Sequence, residues 1–230
     1  MISPEYLQKV LVDLLRTPTA VPPGTTEIPP GDEAIVSAVE RVIRPLIEDL
    51  RPASIVADEF GNLVARFGKD PDSGVLILVY VVSQHANEMA DPLSGDIVDG
   101  EPFGLRGPVA RGQGASQNKG PMSAVLTAIR SLPSDLDKGV TLAVNTEGAS
   151  SHWGSETLIK GLDARGDWGI VAVGTDLRIS LGNRGRVDVR VTVEGSSSHS
   201  SQPWLGLNPI PIAASVIADL ASVALPPPHP

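Results

Sequence analysis

Three apolar runs in this 230-residue chain each end in a cluster of polar side chains. Residues 75–82 lead into Ser83-Gln84-His85-Ala86-Asn87. Residues 140–144 lead into Asn145-Thr146-Glu147-Gly148-Ala149-Ser150-Ser151-His152, and residues 168–173 lead into Gly174-Thr175-Asp176. Imidazole plus carboxylate is a donor set suited to Zn²⁺ or Mn²⁺. His85 and Asp176 are the first candidates for such ligation. The plainer role for His85 is a hydrogen-bonding cap on a strand tip. Ser150-Ser151-His152 raises a serine nucleophile beside a base. Its surroundings are not G-x-S-x-G, and a Ser and His adjacent in sequence seldom face each other correctly. Glu88, Asp91, Asp96 and Asp99 read as solvated carboxylates, and the serines around His199 as a flexible polar loop. Lys119 reads as a surface residue; Gly112-Gln113-Gly114 before it lacks the Walker A spacing.

The elements that must position these residues follow from periodicity. A helix is expected over 4–16, with Leu7, Val10, Leu11, Leu14 and Leu15 on one face. A Pro/Thr/Gly-rich loop follows over 17–32, then a second amphipathic helix over 33–50. Residues 53–67 read as two strands around the turn Glu59-Phe60-Gly61-Asn62. The β-branched run 75–82 has the character of a strand buried on both faces. A Pro/Gly/Asp-rich loop and the Gly-broken stretch 112–121 then feed a helix with Met122, Val125, Leu126 and Ile129 inward. Strand 140–144, a short helix near 155–159 and strand 168–173 complete the alternation. This predicts a mixed, mostly parallel α/β sheet flanked by helices. Ligands bind such sheets outside the carboxyl ends of the strands, where the three polar clusters lie.

The pattern changes near Gly182. Val187, Val189, Val191 and Val193 alternate with polar residues, as in a half-exposed antiparallel strand over 186–194. A helix follows over 209–221. The expected division is therefore 1–181 as the α/β domain and 182–230 as part of a smaller α+β domain. One strand and one helix cannot bury a core, so another polypeptide, or sequence not present in this chain, is expected to complete it.

Composition narrows the function classes. The chain is 41% hydrophobic and 20% charged, with a net charge of −9. No Lys/Arg cluster exists to hold phosphates, which excludes nucleic acid as the expected partner. Without cysteine there is neither a disulfide nor a thiolate metal site, consistent with a cytoplasmic protein. No apolar run suits a bilayer span, and the acidic, amphipathic start is not a secretory signal.

Taken together, the segments resemble the M20 family of di-zinc metallopeptidases and amidohydrolases. The strand ending at His85 resembles the family's strand ending in Gly-His-x-Asp. Glu101-Pro102-Phe103 and the run RGQGASQNKGP resemble its loop before a helix. Residues 140–155 resemble its strand ending in an acidic pair before Gly-Ser, and Val173-Gly174-Thr175-Asp176 its next ligand strand. Asn183-Arg184-Gly185, His199-Ser200, Gln202-Pro203-Trp204 and Gly206-x-Asn208-Pro209 resemble the start of its lid or dimerisation domain. The resemblance implies a catalytic-type domain over 1–181 and a partial lid over 182–230. It implies hydrolysis of an amide bond in a small peptide or N-acyl amino acid, metal-assisted, in a homodimer or with a second polypeptide.

Carried over by position, His85 and Asp176 match metal ligands, and His199 matches the lid histidine that reaches a substrate oxyanion. The charged positions do not carry over. Asn87 stands where the family has the Asp that orients the ligand histidine, and Gln117 where it has the metal-bridging Asp. The acidic pair falls on Ser150 and Ser151 in one register and on Ser151 and His152 in the other. The second register leaves His152 as a replacement ligand. Glu147 is the nearest surviving carboxylate and the candidate general base. The family's last histidine ligand would lie beyond residue 230. The expected cofactor is thus one zinc ion or none, and the alternatives are a catalytically inactive binding or scaffolding homologue, or metal-free chemistry at the serines.

Overall fold

The computed structural model describes residues 2–25, 28–133, 135–147, 152–182 and 189–224, without the side chains of residues 71 and 72. Contacts divide the chain into two units, Met1–Gly182 and Asn183–Pro230.

In the first unit, α1 (Pro4–Leu15) starts where Ser3 accepts the Tyr6 N–H and proline occupies the first helical position. A long helical segment then runs as α2 (Glu33–Ala38), a π-helical turn (Val39–Ile43) and α3 (Arg44–Glu48). Pro45 accounts for the π turn. It cannot donate to the carbonyl four residues back, and its ring crowds that carbonyl. The ladder therefore widens, with the Arg44 N–H bonded to the Val39 carbonyl.

β1 (Ser54–Ala57) and β2 (Leu63–Phe67) form the expected hairpin. The Asp58 carboxylate closes it, accepting from the Phe60 and Asn62 amides and the Asn62 side chain. β3 (Asp70–Tyr80), β6 (Lys138–Asn145) and β7 (Trp168–Val171) complete a sheet of order β1-β2-β6-β3-β7. β3 pairs parallel with both β6 and β7, whereas β2 pairs antiparallel with β1 and β6. The sheet is therefore mixed, as expected.

α4 (Gly120–Arg130) packs with α1 and the α2–α3 segment on one face of the sheet. Val10, Leu14, Ile43, Ile47, Met122 and Leu126 bury there against Leu63, Ala65, Val79 and Leu142. α5 (Trp153–Lys160) covers the other face less completely, with Leu158 against Val64 and Ala143.

The stretch read as one loop before residue 112 contains an antiparallel hairpin, β4 (Asp96–Asp99) with β5 (Pro108–Arg111). Its strands are too short for an alternation to stand out among prolines and glycines.

In the second unit, α6 spans Pro209–Ala221, capped by the Asn208 side chain. Ser196 and Leu207 exchange both backbone hydrogen bonds. Of the strand expected over 186–194, residues 186–188 lie outside the described residues, and 189–194 carry no strand. A half-exposed strand needs a neighbour to pair with; Val189 and Val191 are instead 77% and 56% exposed.

Candidate functional site

The strand tip after β3 is held from two sides. On one side, residues 17–21, read from sequence only as loop, run beside it. The Ser83 N–H donates to the Thr19 carbonyl at 2.9 Å, and the Val21 N–H donates to the Ser83 carbonyl at 3.0 Å. The same segment orients His85, whose Nδ1 lies 2.9 Å from the Val21 carbonyl oxygen. A carbonyl only accepts, so Nδ1 carries the proton and Nε2 keeps its lone pair in the neutral ring. A backbone carbonyl thus performs the orienting role that the family resemblance assigns to position 87. Asn87 is exposed, has a φ of 48°, and makes no hydrogen bond to the imidazole.

On the other side lies the Gly-broken loop. Gln113 is 7% exposed, and its Nε2 donates to the Gln84 and His85 carbonyls. Gly114 has a φ of +82°, and a Cβ there would lie 2.4 Å from the Ser83 hydroxyl, so only glycine fits. A π-helical turn (Ala115–Lys119) follows and leads into α4. Pro121 widens this turn as Pro45 does the other, and Gly120 bonds back to Ala115. The Gln117 carbonyl, left without a donor from Pro121, accepts the Gly174 N–H at 3.0 Å. A Cβ on Gly174 would lie 1.8 Å from the Ser116 oxygen. This close backbone approach ties the loop bearing Asp176 to the turn bearing Gln117. Asp176 itself is exposed.

The side chains of the turn are committed to structure. Gln117 Oε1 accepts the Gln84 N–H at 3.2 Å. Burial raises the Tyr80 phenol above its ordinary value, and its hydrogen bond with Gln117 partly offsets this. Asn118, 1% exposed, donates to the Tyr80 and Val81 carbonyls at 3.2 and 2.8 Å and accepts the Ser83 hydroxyl at 3.0 Å. Lys119 is not a surface residue. It is 3% exposed, and its amine donates to the Thr17 carbonyl at 2.8 Å, just past the end of α1. Burial lowers its pKa to about 8. A cation there also benefits from the negative end of the helix dipole. Sequence alone could not reveal this, because the long apolar stem that lets lysine reach solvent serves equally to reach inward.

After β6, Glu147 is 6% exposed. One carboxylate oxygen accepts the His152 N–H, and the other accepts the Gly154 N–H at 2.9 Å. Both belong to the start of α5, where anionic side chains are favoured. His152 itself has a φ of 65° and an exposed side chain. Ser150 and Ser151 lie outside the described residues.

The donor set can be weighed against the paired metal ions implied by the resemblance. His85 Nε2 and the Asp176 carboxylate are donors of suitable chemistry. Gln117 is neutral and its oxygen is engaged, and Glu147 has both oxygens on backbone amides. Among the described residues no three His, Asp or Glu side chains converge on one point. His85, Asp176 and His152 are therefore not gathered into one three-ligand set. Two dications held close together need bridging negative charge, and the described residues do not supply it.

In the second unit, His199 Nδ1 accepts the Ser201 N–H at 3.2 Å and lies 2.8 Å from the Ser201 hydroxyl. This fixes the opposite tautomer from His85: the neutral ring carries its proton on Nε2, as a donor.

A family profile described as the peptidase dimerisation domain matches residues 181–228. Over 97% of its length the chain is 26% identical to a succinyl-diaminopimelate desuccinylase of Sphingopyxis alaskensis, covering 58% of that protein. These similarities support an M20-type peptidase or amidohydrolase. A desuccinylase of Pseudomonas fluorescens is 32% identical over 48% of the chain and 32% of its own length. Solved M20 neighbours show the same fold. An M20 metallo-carboxypeptidase of Sulfolobus solfataricus matches with a TM-score of 0.57 at 18% identity, over 92% of this chain and 49% of its own. A tripeptidase of Staphylococcus aureus matches with a TM-score of 0.56 at 14% identity, over 95% and 57%. The chain thus spans 58% of the Sphingopyxis relative. No helix among the described residues is long and apolar enough to cross a membrane.

Proposed function

We propose that this M20 chain is a hydrolase of the amide bond in a small peptide or N-acyl amino acid, working with one metal ion at His85 rather than the family's pair. The observation that carries this reading is the bond from His85 Nδ1–H to the Val21 carbonyl. It leaves Nε2 free as a ligand and fixes the ring, as hydrogen-bonded ligand histidines require. Asp176 is the second proposed ligand and His152 a weaker third, since the three side chains do not form one ligand cluster among the described residues. When bound, the ion would supply Lewis-acid polarisation of the amide carbonyl.

The chain's own residues are assigned as follows. His199 donates from Nε2–H to the oxyanion of the substrate. Glu147 holds the start of α5, and it serves as a base only if one oxygen leaves its N–H partner. The protein is proposed to act in the cytoplasm as a homodimer through its dimerisation-domain segment, with no nucleic acid or membrane partner.

A second reading, a non-catalytic homologue that binds the same ligands, is favoured by one specific observation. Gln117 and Glu147 are both engaged with backbone N–H groups that hold the fold. Hydrolysis of N-succinyl and N-acetyl amino acids and dipeptides, measured with and without added Zn²⁺, separates the two. Zinc-dependent turnover lost in His85→Ala supports the hydrolase. Ligand binding without turnover under both conditions supports the binder and overturns the hydrolase.

A further inference from the structure

Four hydrogen bonds form one chain from the interior of the helical layer to the candidate ligand histidine. The Lys119 amine donates to the Thr17 carbonyl at 2.8 Å. Two residues along, the Thr19 carbonyl accepts the Ser83 N–H, and the Val21 N–H donates to the Ser83 carbonyl. The Val21 carbonyl then accepts from His85 Nδ1 at 2.9 Å. Segment 17–21 has no regular element of its own beyond the bridge between Ala20 and Ser83. Its ends are fixed by Lys119 on one side and by the strand tip on the other.

The fixing at Lys119 is incomplete as it stands. An ammonium has three donors, and among the described residues one is used. The Thr19 hydroxyl is buried and has no partner among the described residues. Both groups are 3% exposed, and both line a cavity of about 10 Å³ walled by Leu14, Ile43 and Met122. That volume accommodates the centre of one water, and such buried waters persist where they satisfy two or more otherwise orphaned polar groups.

We infer that Lys119 is a positioning residue for His85, acting through segment 17–21, and that one ordered water bridges its amine to the Thr19 hydroxyl. The water accepts from the ammonium and exchanges a hydrogen bond with the hydroxyl. Lys119 so solvated holds the Thr17 carbonyl, and the strap keeps the Val21 carbonyl aimed at Nδ1. The inference rests on His85 being the working histidine of the proposed site. Its test reads the imidazole directly in metal-free protein, so it can fail while hydrolysis stands, and hold while hydrolysis fails.

The test uses the full chain, labelled with ¹⁵N in histidine and in the backbone. In the wild type, His85 shows the Nδ1–H tautomer, and high-resolution density shows one water between Lys119 and Thr19. In Lys119→Met, which keeps the apolar stem, the tautomer preference of His85 is lost. Amide exchange at Ser83 and Val21 speeds up by about tenfold or more, while Leu142 and Val144 in β6 stay protected. In Thr19→Val the water is absent and Ser83 exchange again accelerates. A dry cavity in the wild type overturns the water. A folded Lys119→Met with unchanged His85 tautomer and Ser83 exchange overturns the positioning role. Uniform acceleration across β6 also overturns it, because that reports only global destabilisation. If Lys119→Met does not fold, the same two readouts in Thr19→Val decide.

Discussion

The Gln117 side-chain oxygen accepts the Gln84 backbone N–H at 3.2 Å, clipping the π turn before α4 to the tip of β3. By resemblance this position holds the carboxylate that bridges two metal ions. Here it holds an amide with a structural partner. An amide carries no charge there but still clips the tip of β3, because a carboxamide oxygen can satisfy an N–H. Restoring the charge with Gln117→Asp removes one methylene, so the clip to Gln84 is lost. Weaker thermal stability than wild type, with tighter Zn²⁺ binding, is the expected result. Unchanged stability would show that the clip contributes nothing.

Asn118 carries more of the local structure than any candidate catalytic group. Asn118→Ala removes the donor from the buried Val81 carbonyl and the part-buried Tyr80 carbonyl, and the acceptor from the Ser83 hydroxyl. Each buried orphan costs on the order of 1–3 kcal/mol. Chemical denaturation should register a loss of about 3 kcal/mol, with hydrolytic activity or ligand binding reduced in parallel.

Glu147 distinguishes a capping carboxylate from a general base. Glu147→Gln keeps the shape but removes the charge facing the first turn of α5. A cost of about 1 kcal/mol in stability is expected, with turnover reduced less than tenfold. A loss of about 10²–10⁴ in kcat at unchanged stability is the signature of general-base catalysis and would reassign it.

Lys119 predicts a pH dependence of stability. Its folded pKa, about 8, lies below the ordinary 10.5 because burial disfavours the charged form. Between these values the unfolded chain binds the proton that the folded chain has released, so stability rises with pH across that window. Below about 8 both states are protonated and this slope vanishes. Burial raises the phenols of Tyr6 and Tyr80 above their ordinary 10.0. Those groups ionise first in the unfolded chain and lower stability above that pH, so the lysine's effect is read between about 8 and 10. Denaturation midpoints should rise over this range in the wild type and stay flat in Lys119→Met.

The sheet was legible because its signals are local. The unbroken run 75–82, the turn at Glu59-Phe60-Gly61-Asn62 and the apolar face of Met122, Leu126 and Ile129 each specify an element by themselves. His85 was legible as a candidate because it follows such a run. The partner that fixes its tautomer was not, since the Val21 carbonyl is backbone, which every residue possesses. Nor was Gln113, whose grip on two carbonyls depends on a loop path that glycines leave open. The burial of Lys119 and the capping bonds of Glu147 were hidden in the sequence for one common reason. A charged residue looks catalytic or solvated in sequence, whereas here Lys119 caps the Thr17 carbonyl past α1 and Glu147 caps N–H groups ahead of α5. The register that assigns Ser150, Ser151 or His152 to the lost acidic pair falls on a segment only partly described, with His152 alone visible and exposed.

His199 offers an independent check on the lid assignment. Its Nε2–H donor state suits an oxyanion, and losing such a donor costs about 10²–10³ in kcat. His199→Ala should lower kcat by about that factor with KM little changed. An equal loss in binding of unreactive ligand analogues would assign it to ground-state recognition instead.

On the proposed reading, the chain keeps the arrangement of an M20-type site without the charge that holds two ions. Native mass spectrometry of the protein reconstituted with excess Zn²⁺ and then desalted tests it most directly. The expected result is no more than one zinc per chain, lost in His85→Ala. Two zinc ions per chain, retained after desalting, would contradict it.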